Sequence, residues 1–337
     1  MPYRSDDLTR LVQDQHTGEV IRLEDQIGAD ILGYTGLAFD DLIRRTLAAW
    51  TQAYGGPNQP ATPGEVLRRI IAAARAAIRE LLGDLAGRAG FLGDALGEAV
   101  ALGVQQGIAF VEAASGSLLA RTPRVPRPGR ELRAEARRIG RLVKDHRDRA
   151  LRLLRSGVVS RWEHMLTGLG AAKAAVQAVR AHIAWVVNTA VAQGLDEVAR
   201  SPAEVRLWVS EADACVNCLA YTGRTALIGG SFPGGLSWDP RQRRRLSDVD
   251  GPPLHPNCRC RTVPWNDAWV AEGVPFPQAL QQEAHRSIAY GIGRPSESRA
   301  ARLRAARQLL FTERNLLPAV RARAQTAVRT GRFTQAA

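Results

Sequence analysis

Lysine is almost absent from this chain of 337 residues: two of its 46 basic residues are lysine, Lys144 and Lys173, and the others are arginine. Aromatic residues make up only 6% of the chain, while alanine, leucine and arginine are abundant. Because these three residues favour helices and strands are rich in aromatic and β-branched residues, the composition favours a mainly helical protein. Hydrophobic residues amount to 45% and charged residues to 23%, which excludes disorder throughout the chain.

Long hydrophobic runs are also lacking. The most apolar stretch, residues 96–120, is interrupted by Glu98, Gln105, Gln106 and Glu112, so it falls short of the roughly 20 apolar residues that a membrane-spanning helix needs. The N-terminal residues do not contain the apolar core of a signal peptide. We therefore expect no membrane contact and a protein that works in the cytoplasm where it is made, or in a particle assembled there.

Acidic residues are scarce in two segments. Residues 121–157 carry 13 basic and 4 acidic side chains, and residues 286–337 carry 11 basic and 2 acidic, so each segment has a net charge of +9. Nucleic acid is the commonest partner of such segments because neutralising its phosphates releases counterions. Solvated helix faces are the alternative, especially for 121–157, where acidic residues are interleaved. The arginines expected to contact nucleic acid or a protein partner are Arg137, Arg138, Arg141, Arg299, Arg302, Arg304 and Arg307.

The chain is predicted to divide where its composition changes. Three prolines and a glycine in residues 122–129 cannot continue a helix, so we place a boundary there. Before it, apolar residues recur at helical spacing from Gly36 onward, and residues 1–34 are expected to be loosely structured with at most one short helix. The sequence thus predicts a helical region at 1–121, a central domain at 130–275 and a basic helical tail at 276–337.

The central domain changes character along its length. Helical patterns at 130–155 and 159–200 predict a helical stalk, and the β-prone residues 205–209 predict a strand. Residues 211–262 are rich in glycine and proline and contain all four cysteines. The predicted fold class is α+β and predominantly α-helical, with long helices plus a small Cys/His-stapled module at 205–265 that contains β structure.

The four cysteines come in two pairs. Cys215-Val-Asn-Cys218 is a C-x-x-C motif, and His255-Pro-Asn-Cys258-Arg-Cys260 begins 40 residues after Cys215. A C-x-x-C turn directs two thiolates at one ion, and a second cluster completes a tetrahedron. Thiolate and imidazole donors suit zinc. Five donors are present for four positions, so the ligands are either the four cysteines or His255 with three of them.

Other uses of the cysteines compete with structural zinc. Disulfides are rare in a reducing cytosol, although they stay open as an alternative. A redox-active C-x-x-C is expected in a thioredoxin-like βαβ context, which the sequence lacks. A closed site with four protein ligands has no open position for water, which argues against catalytic zinc. A zinc deaminase would need an H-x-E motif before its P-C-x-x-C, and the sequence has none.

Several short motifs together carry a family resemblance. They are Trp208-Val-Ser, Glu211, Cys215-Val-Asn-Cys218-Leu-Ala-Tyr-Thr-Gly223 and Gly251-Pro-Pro-Leu-His255-Pro-Asn-Cys258-Arg-Cys260. In this order they resemble the C-terminal signature of the phage Mu protein F-like minor head proteins, also called the phage head morphogenesis family. The resemblance covers residues 130–265. Glu211 stands where the family pattern has an aspartate, and Asn188-Thr189 replaces its Thr-Glu pair.

The resemblance implies a virion component that is made in few copies and acts in procapsid assembly. The implied partners are the phage portal protein, capsid or scaffold proteins, and packaged DNA bound without sequence specificity. The implied location is the capsid interior near the portal, after synthesis in the host cytoplasm. We expect a structural protein and not an enzyme, because too few residues follow the signature for a usual enzyme domain.

Other functions remain as rivals. His255 and Asn257 beside paired cysteines suggest a zinc-containing nuclease of the His-Asn-His type, but Pro256 separates them and no second histidine is near. A DNA-binding regulator would need a recognition helix, and no such motif is visible. A maturation protease would use a nucleophile such as Ser231, but the G-x-S-x-G elbow is missing. The nuclease and the DNA-binding protein are kept as alternatives.

Overall fold

A computed structural model describes residues 2–200, 203–243 and 247–333 of the chain. It is 63% helical with one small antiparallel sheet, which confirms the predicted α+β, predominantly helical class. The helices are α1 (Ser5–Thr9), α2 (Thr17–Leu32), α3 (Thr35–Tyr54), α4 (Glu65–Arg88), α5 (Phe91–Ser115), α6 (Arg130–Ala136), α7 (Arg138–Leu153), α8 (Trp162–Ala199), α9 (Phe276–Tyr290), α10 (Arg299–Thr312) and α11 (Pro318–Thr330). The strands are β1 (Val205–Val209), β2 (Thr225–Leu227) and β3 (Arg261–Trp265). Within the described residues, no helix combines the length and the apolar character required to cross a membrane.

The chain forms two compact units, each built from segments far apart in sequence. The sheet unit comprises Met1–Arg22, Gly97–Pro128 and Val187–Ala337, and the helical unit comprises Leu23–Leu96 and Gly129–Val186. These units do not coincide with the three consecutive segments predicted from composition. The predicted boundaries were placed where helices end. Helices α2, α5 and α8, however, each contribute residues to both units, so the division between the units falls inside helices. The predicted boundary within 122–129 does meet a division, between Pro128 and Gly129.

Aromatic side chains form part of the core of the helical unit. Phe39, Leu42 and Trp50 are buried at helical spacing along α3, and the Trp50 ring meets the Trp162 ring edge-on with 6.0 Å between centroids. Helix α3 ends where Gly55 adopts a left-handed conformation with φ of +85°, which glycine does without a steric penalty. The amphipathic pattern thus fixes which face of α3 is buried.

The helices on the C-terminal side of the proline-rich segment follow the sequence pattern closely. Helix α8 is a single helix of 38 residues and confirms the helix predicted at 159–200. The helix predicted at 130–155 is present, but Arg137 divides it into α6 and α7. No proline or glycine marks Arg137 in the sequence, so the pattern gives no signal for this break.

The sheet is the middle layer of the sheet unit. The strand order is β2-β1-β3, with Leu207 opposite Val263 and Arg206 opposite Ala226. Because side chains alternate along a strand, Leu207 belongs to a hydrophobic cluster on one face of β1 and Trp208 to a cluster on the other. Both faces of the strand predicted at 205–209 are therefore covered, and four of its five residues are buried.

The N-terminal residues are helical, so the expectation of a loosely structured 1–34 is wrong. Helix α1, a π-helical segment (Arg10–His16) and α2 follow one another without a break. Leu8 and Val12 are buried against the sheet, and the Tyr3 ring meets the Trp265 ring edge-on at 5.7 Å. Charged residues between these apolar positions lower the mean hydropathy, although the helical period is present.

Two glycines let α5 and α8 approach closely inside the sheet unit. A Cβ atom at Gly103 would lie 2.1 Å from the carbonyl oxygen of Val191, and one at Gly194 would lie 2.2 Å from that of Val100. No larger residue fits at either position without moving the backbone. This contact fixes the end of α8, from which the chain continues into β1 and the cysteine loops.

The C-terminal helices are part of the folded module, so the prediction of a separate basic tail at 276–337 requires correction. Ile288 of α9, Leu309 of α10 and Val320 of α11 belong to the same buried cluster as Cys218 and Cys258. Much of the rest of this helical surface consists of alanine, including Ala284, Ala305, Ala306 and Ala324. Alanine is a weak hydrophobic signal, which is why the arginines dominated the sequence pattern.

Candidate metal centre

The first cysteine pair lies in a tight turn directly after β1. The backbone amide of Leu219 donates to the carbonyl oxygen of Cys215 at 3.0 Å, and Cys218 begins a single 3-10 turn. The Ser210 hydroxyl donates to the carbonyl oxygen of Cys218 at 2.9 Å and accepts from the Thr222 hydroxyl at 2.7 Å. These bonds hold the two thiols on the same side of the turn.

The second group of donors lies in the turn that leads into β3. The amide of Cys258 donates to the carbonyl oxygen of His255 at 3.0 Å, and Asn257 adopts a left-handed φ of +62°, which asparagine tolerates better than most residues. The imidazole Nδ1 of His255 lies 2.9 Å from the carbonyl oxygen of Pro256. A proton on Nδ1 satisfies that contact and leaves Nε2 free to bind a metal.

The fold brings the two groups of donors together. His255 Nε2 lies 3.3 Å from Cys215 Sγ and 3.5 Å from Cys218 Sγ, and Cys218 Sγ lies 3.7 Å from Cys258 Sγ. The donor atoms of Cys215, Cys218 and His255 lie within 4.8 Å of one another, as do those of Cys218, Cys258 and Cys260. Each group can hold a metal ion, and Cys218 belongs to both.

The four cysteines are free thiols, three of them buried and Cys215 partly exposed. The 3.7 Å between the sulfurs of Cys218 and Cys258 is far beyond a disulfide bond, which is about 2.05 Å long. The alternative of a disulfide framework is therefore not what the structure contains. The separations instead match the sulfur-to-sulfur distance expected around one ion with metal–sulfur bonds of about 2.3 Å.

The donors of the cluster shift one another's pKa values in opposite directions. Bonds from the Cys218 thiol and the His255 ring lower the pKa of the Cys215 thiol to about 4 despite its burial. The same contact with Cys215 raises the pKa of His255 to about 9. The pKa of Cys258 is also well below its ordinary value, principally because of the hydrogen bond from Cys218. Thiolates, which are the form that binds metals, are thus stabilised at Cys215 and Cys258. The hydrogen bond with Cys215 instead raises the pKa of Cys218 well above its ordinary value, so metal binding here would release protons from Cys218 and His255.

No family model, curated protein or solved structure matches this chain.

A network from the segment between α9 and α10 supports both metal loops, which are the loop with Cys215 and Cys218 and the loop with His255, Cys258 and Cys260. The Arg294 guanidinium pairs with Glu211 and donates to the carbonyl oxygen of Asn257, while a Glu297 carboxylate oxygen accepts from the Val216 amide at 2.8 Å. Burial raises the pKa of Glu211 to about 7, and Arg294 opposes that rise. Sequence reasoning missed Arg294 and Glu297 because the loop residues that they contact lie 37 to 83 residues away.

Arg302 is placed differently from its prediction as a partner contact. Its side chain is 3% exposed, pairs with Glu297 and donates to the carbonyl oxygen of Ala214 at 2.6 Å and to the Ser287 hydroxyl at 3.3 Å. A guanidinium buried in this way cannot reach a nucleic acid, so Arg302 is corrected to a support of the first cysteine loop. The helical pattern alone does not show which face of α10 is buried.

The other predicted arginines divide between free and paired positions. Arg299 and Arg307 are exposed on α10, whereas Arg304 forms a two-pronged ion pair with the fully buried Asp239 at 2.8 and 2.6 Å. In the helical unit, Arg137, Arg138 and Arg141 are all exposed, and Arg138 pairs with Glu135 at 2.7 Å. The structure therefore leaves most, but not all, of the predicted contact residues accessible.

Proposed function

We propose that this protein is a phage minor head protein of the Mu F-like kind. The observation that carries the proposal is the meeting of two motifs: the C-x-x-C at 215–218 and the His-Pro-Asn-Cys-Arg-Cys at 255–260 form one donor cluster. These are the motifs on which the family resemblance rests. We expect the two motifs to lie together in one module if both serve the same structural metal site.

The metal of this module is zinc. Thiolate sulfur with imidazole nitrogen is a donor set that zinc accepts in tetrahedral geometry, whereas Ca²⁺ and Mg²⁺ require oxygen donors. Cys218 is a ligand in either arrangement, and its partners are Cys258 and Cys260 with either Cys215 or His255 as the fourth. The role is structural because four protein ligands close the site, and binding contributes folding energy to the glycine- and proline-rich loops.

The protein acts in the capsid interior near the portal, after synthesis in the host cytoplasm. Its partners are the portal protein, capsid or scaffold proteins, and DNA held without sequence preference. Exposed arginines such as Arg137, Arg141 and Arg307 support this because the planar guanidinium pairs with both carboxylates and phosphates. No catalytic step is assigned to the module.

Quantitative mass spectrometry of purified, DNA-filled particles from the source lysate tests this function. We expect a low copy number, from one to a few tens per particle, and co-fractionation with the portal. Procapsids measured in parallel show whether the protein enters before the DNA. Absence from both particles and procapsids would overturn the proposal and bring the nuclease and the DNA-binding protein forward.

A further inference from the structure

A groove rich in arginine lies in the helical unit, far along the chain from the cysteines. It has a volume of about 590 Å³ and is lined by Arg68, Arg75 and Arg79 of α4 and by Arg155, which follows α7. Among the described residues, no aspartate or glutamate lines this groove. Arg68 is paired with Glu65, one turn earlier on α4, at 2.7 Å, so the charges of Arg75, Arg79 and Arg155 are the ones that no carboxylate of the groove offsets.

One arginine of the groove is anchored by the fold. Arg75 Nη1 donates to the carbonyl oxygens of Leu151 and Leu154 at 2.5 and 2.7 Å, where α7 ends. The carbonyl end of a helix carries partial negative charge, so this contact fixes the Arg75 side chain in place. Within the described part of the chain, the side chains of Arg79 and Arg155 form no ion pair or hydrogen bond, and both are exposed. The groove thus combines a fixed cation with exposed ones.

The arginines of α4 form a row. Positions 68, 75 and 79 lie on one face of the helix because steps of seven and four residues are close to whole turns. At 1.5 Å per residue the row is about 16 Å long, which equals the rise of about five base pairs along the DNA axis at 3.4 Å each. A row of cations matches a repeating polyanion better than a single small anion.

We propose that this groove binds the phosphodiester backbone of nucleic acid. Phosphate oxygens would take the forked donors of Arg79 and Arg155, with Arg75 as the fixed charge between the helices. Sequence recognition is not expected, because contacts to phosphates position the partner and carry no base information.

Burial favours nucleic acid over an acidic protein surface as the occupant. The two large apolar residues of the groove are covered: Ile71 is 4% exposed and Leu154 is 0% exposed. Protein interfaces are centred on apolar and aromatic anchors, and this groove offers none to a partner. The inference rests on the proposed function only for naming the nucleic acid as packaged DNA, since binding itself is a property of the purified chain.

The test is fluorescence anisotropy of the full-length protein with a labelled duplex of about 20 base pairs, between about 50 and 200 mM salt. In the double variant Arg79→Ala/Arg155→Ala we expect about tenfold weaker binding and a salt dependence whose slope is smaller by about 2. Arg79→Gln/Arg155→Gln removes the same charges while keeping side-chain length, and it should behave in the same way.

The matched control is Arg44→Ala/Arg45→Ala, in the same unit and with the same loss of charge. Arg44 and Arg45 are exposed and pair with Asp41 at 3.3 and 2.7 Å outside the groove, so we expect less than about twofold loss of affinity. Equal losses of DNA affinity in the two double variants would contradict the proposal that the groove binds DNA. If polyglutamate displaced the labelled DNA as effectively as unlabelled duplex does, the groove would be a site for an acidic protein and the proposal of nucleic acid as its ligand would be wrong. Absence of the protein from particles would affect the proposed function alone.

Discussion

Cys218 is the residue at which the two donor groups meet. Its sulfur lies 3.5 Å from His255 Nε2 and 3.7 Å from Cys258 Sγ, and its carbonyl oxygen is held by Ser210. Cys215 and His255 belong to one group and Cys258 and Cys260 to the other, so an ion near Cys218 would have donors of both groups within reach.

His16 predicts a pH dependence of stability that is separate from the metal. Its side chain is 2% exposed, and burial, with the positive charge of Arg261 second, lowers its pKa from 6.5 to about 3. Between these values the unfolded chain binds a proton that the folded chain refuses, so stability falls as the pH drops below 6.5. From about pH 7.5 to pH 5 the loss due to His16 is roughly 2 kcal/mol.

The measurement is urea unfolding of the wild type and of His16→Gln at both pH values. Glutamine does not titrate, so the variant should lose roughly 2 kcal/mol less than the wild type over this interval. His164→Gln, on the exposed face of α8, is the control and should follow the wild type. An identical pH response in His16→Gln and the wild type would show that His16 is not kept neutral by the fold.

Sequence reasoning identified the metal donors and missed their supports. Cys215 and Cys218 are recognisable because a local turn needs only the spacing of two residues. Arg294 and Glu297 act across the fold on loops that the sequence places far away, and nothing in their neighbourhood distinguishes them from surface charges. The burial of Arg302 was missed for a similar reason, because it depends on which face of α10 is covered in the fold.

The segment between α9 and α10 is the element that joins the two metal loops. Arg294 binds the loop that carries His255 through the Asn257 carbonyl, and Glu297 binds the loop that carries Cys215 through the Val216 amide. Glu297 also pairs with the buried Arg302. The C-terminal helices therefore determine the distance between the two halves of the centre.

Removing the Glu297 carboxylate should weaken both the fold and metal binding. In Glu297→Ala the Arg302 guanidinium stays buried without its ion pair, and the Val216 amide loses its acceptor. We expect a loss of stability of about 3 kcal/mol, typical of breaking one side of a buried pair. Metal affinity should fall by about tenfold, as happens when a residue that orients ligands is lost.

Urea unfolding and competition with a chromophoric chelator measure the two effects. Glu283→Ala is the matched control, since Glu283 forms an exposed ion pair with Arg286 on α9 at 3.0 Å. Exposed pairs contribute about 0 to 1 kcal/mol, so the control should stay close to the wild type. Equal behaviour of the two variants would mean that the segment does not support the centre.

Elements with a single strong pattern were predictable. Helix α8 and strand β1 lie where the sequence indicates, because one covers more than ten turns and the other consists mainly of β-branched, aromatic and leucine residues. Helices α9 to α11 were recognised as helices but not as core, since their buried faces consist largely of alanine. The many arginines of these helices determined the prediction of a basic tail, because alanine gives only a weak hydrophobic pattern.

At the scale of the whole molecule, fold class follows from composition and the division into units does not. A chain rich in alanine, leucine and arginine with one cysteine-containing β-prone stretch is mainly helical with a small sheet, as found. The units instead arise from pairing between distant segments, such as the approach of Gly103 to Val191. Such pairing depends on tertiary packing, which cannot be predicted from the composition of consecutive segments.

Removal of the proposed zinc should affect the two units unequally. Cys218, Cys258 and Cys260 share a buried cluster with residues of α9, α10 and α11, so stripping the metal should release amide protection at 205–265 and in these helices. The helical unit has a core of its own, around Trp50, Trp162 and Ile78, and should keep its protection.

Hydrogen exchange read by mass spectrometry, before and after complete chelation, measures this difference, together with a metal analysis that should give one zinc per chain. Cys218→Ser is the control, because the loss of the shared ligand should reproduce the chelated state before any chelator is added. Restoring zinc should restore protection in the wild type and not in Cys218→Ser. Unchanged protection of 205–265 after all metal is gone would show that packing alone holds these loops, and that the thiols serve another purpose.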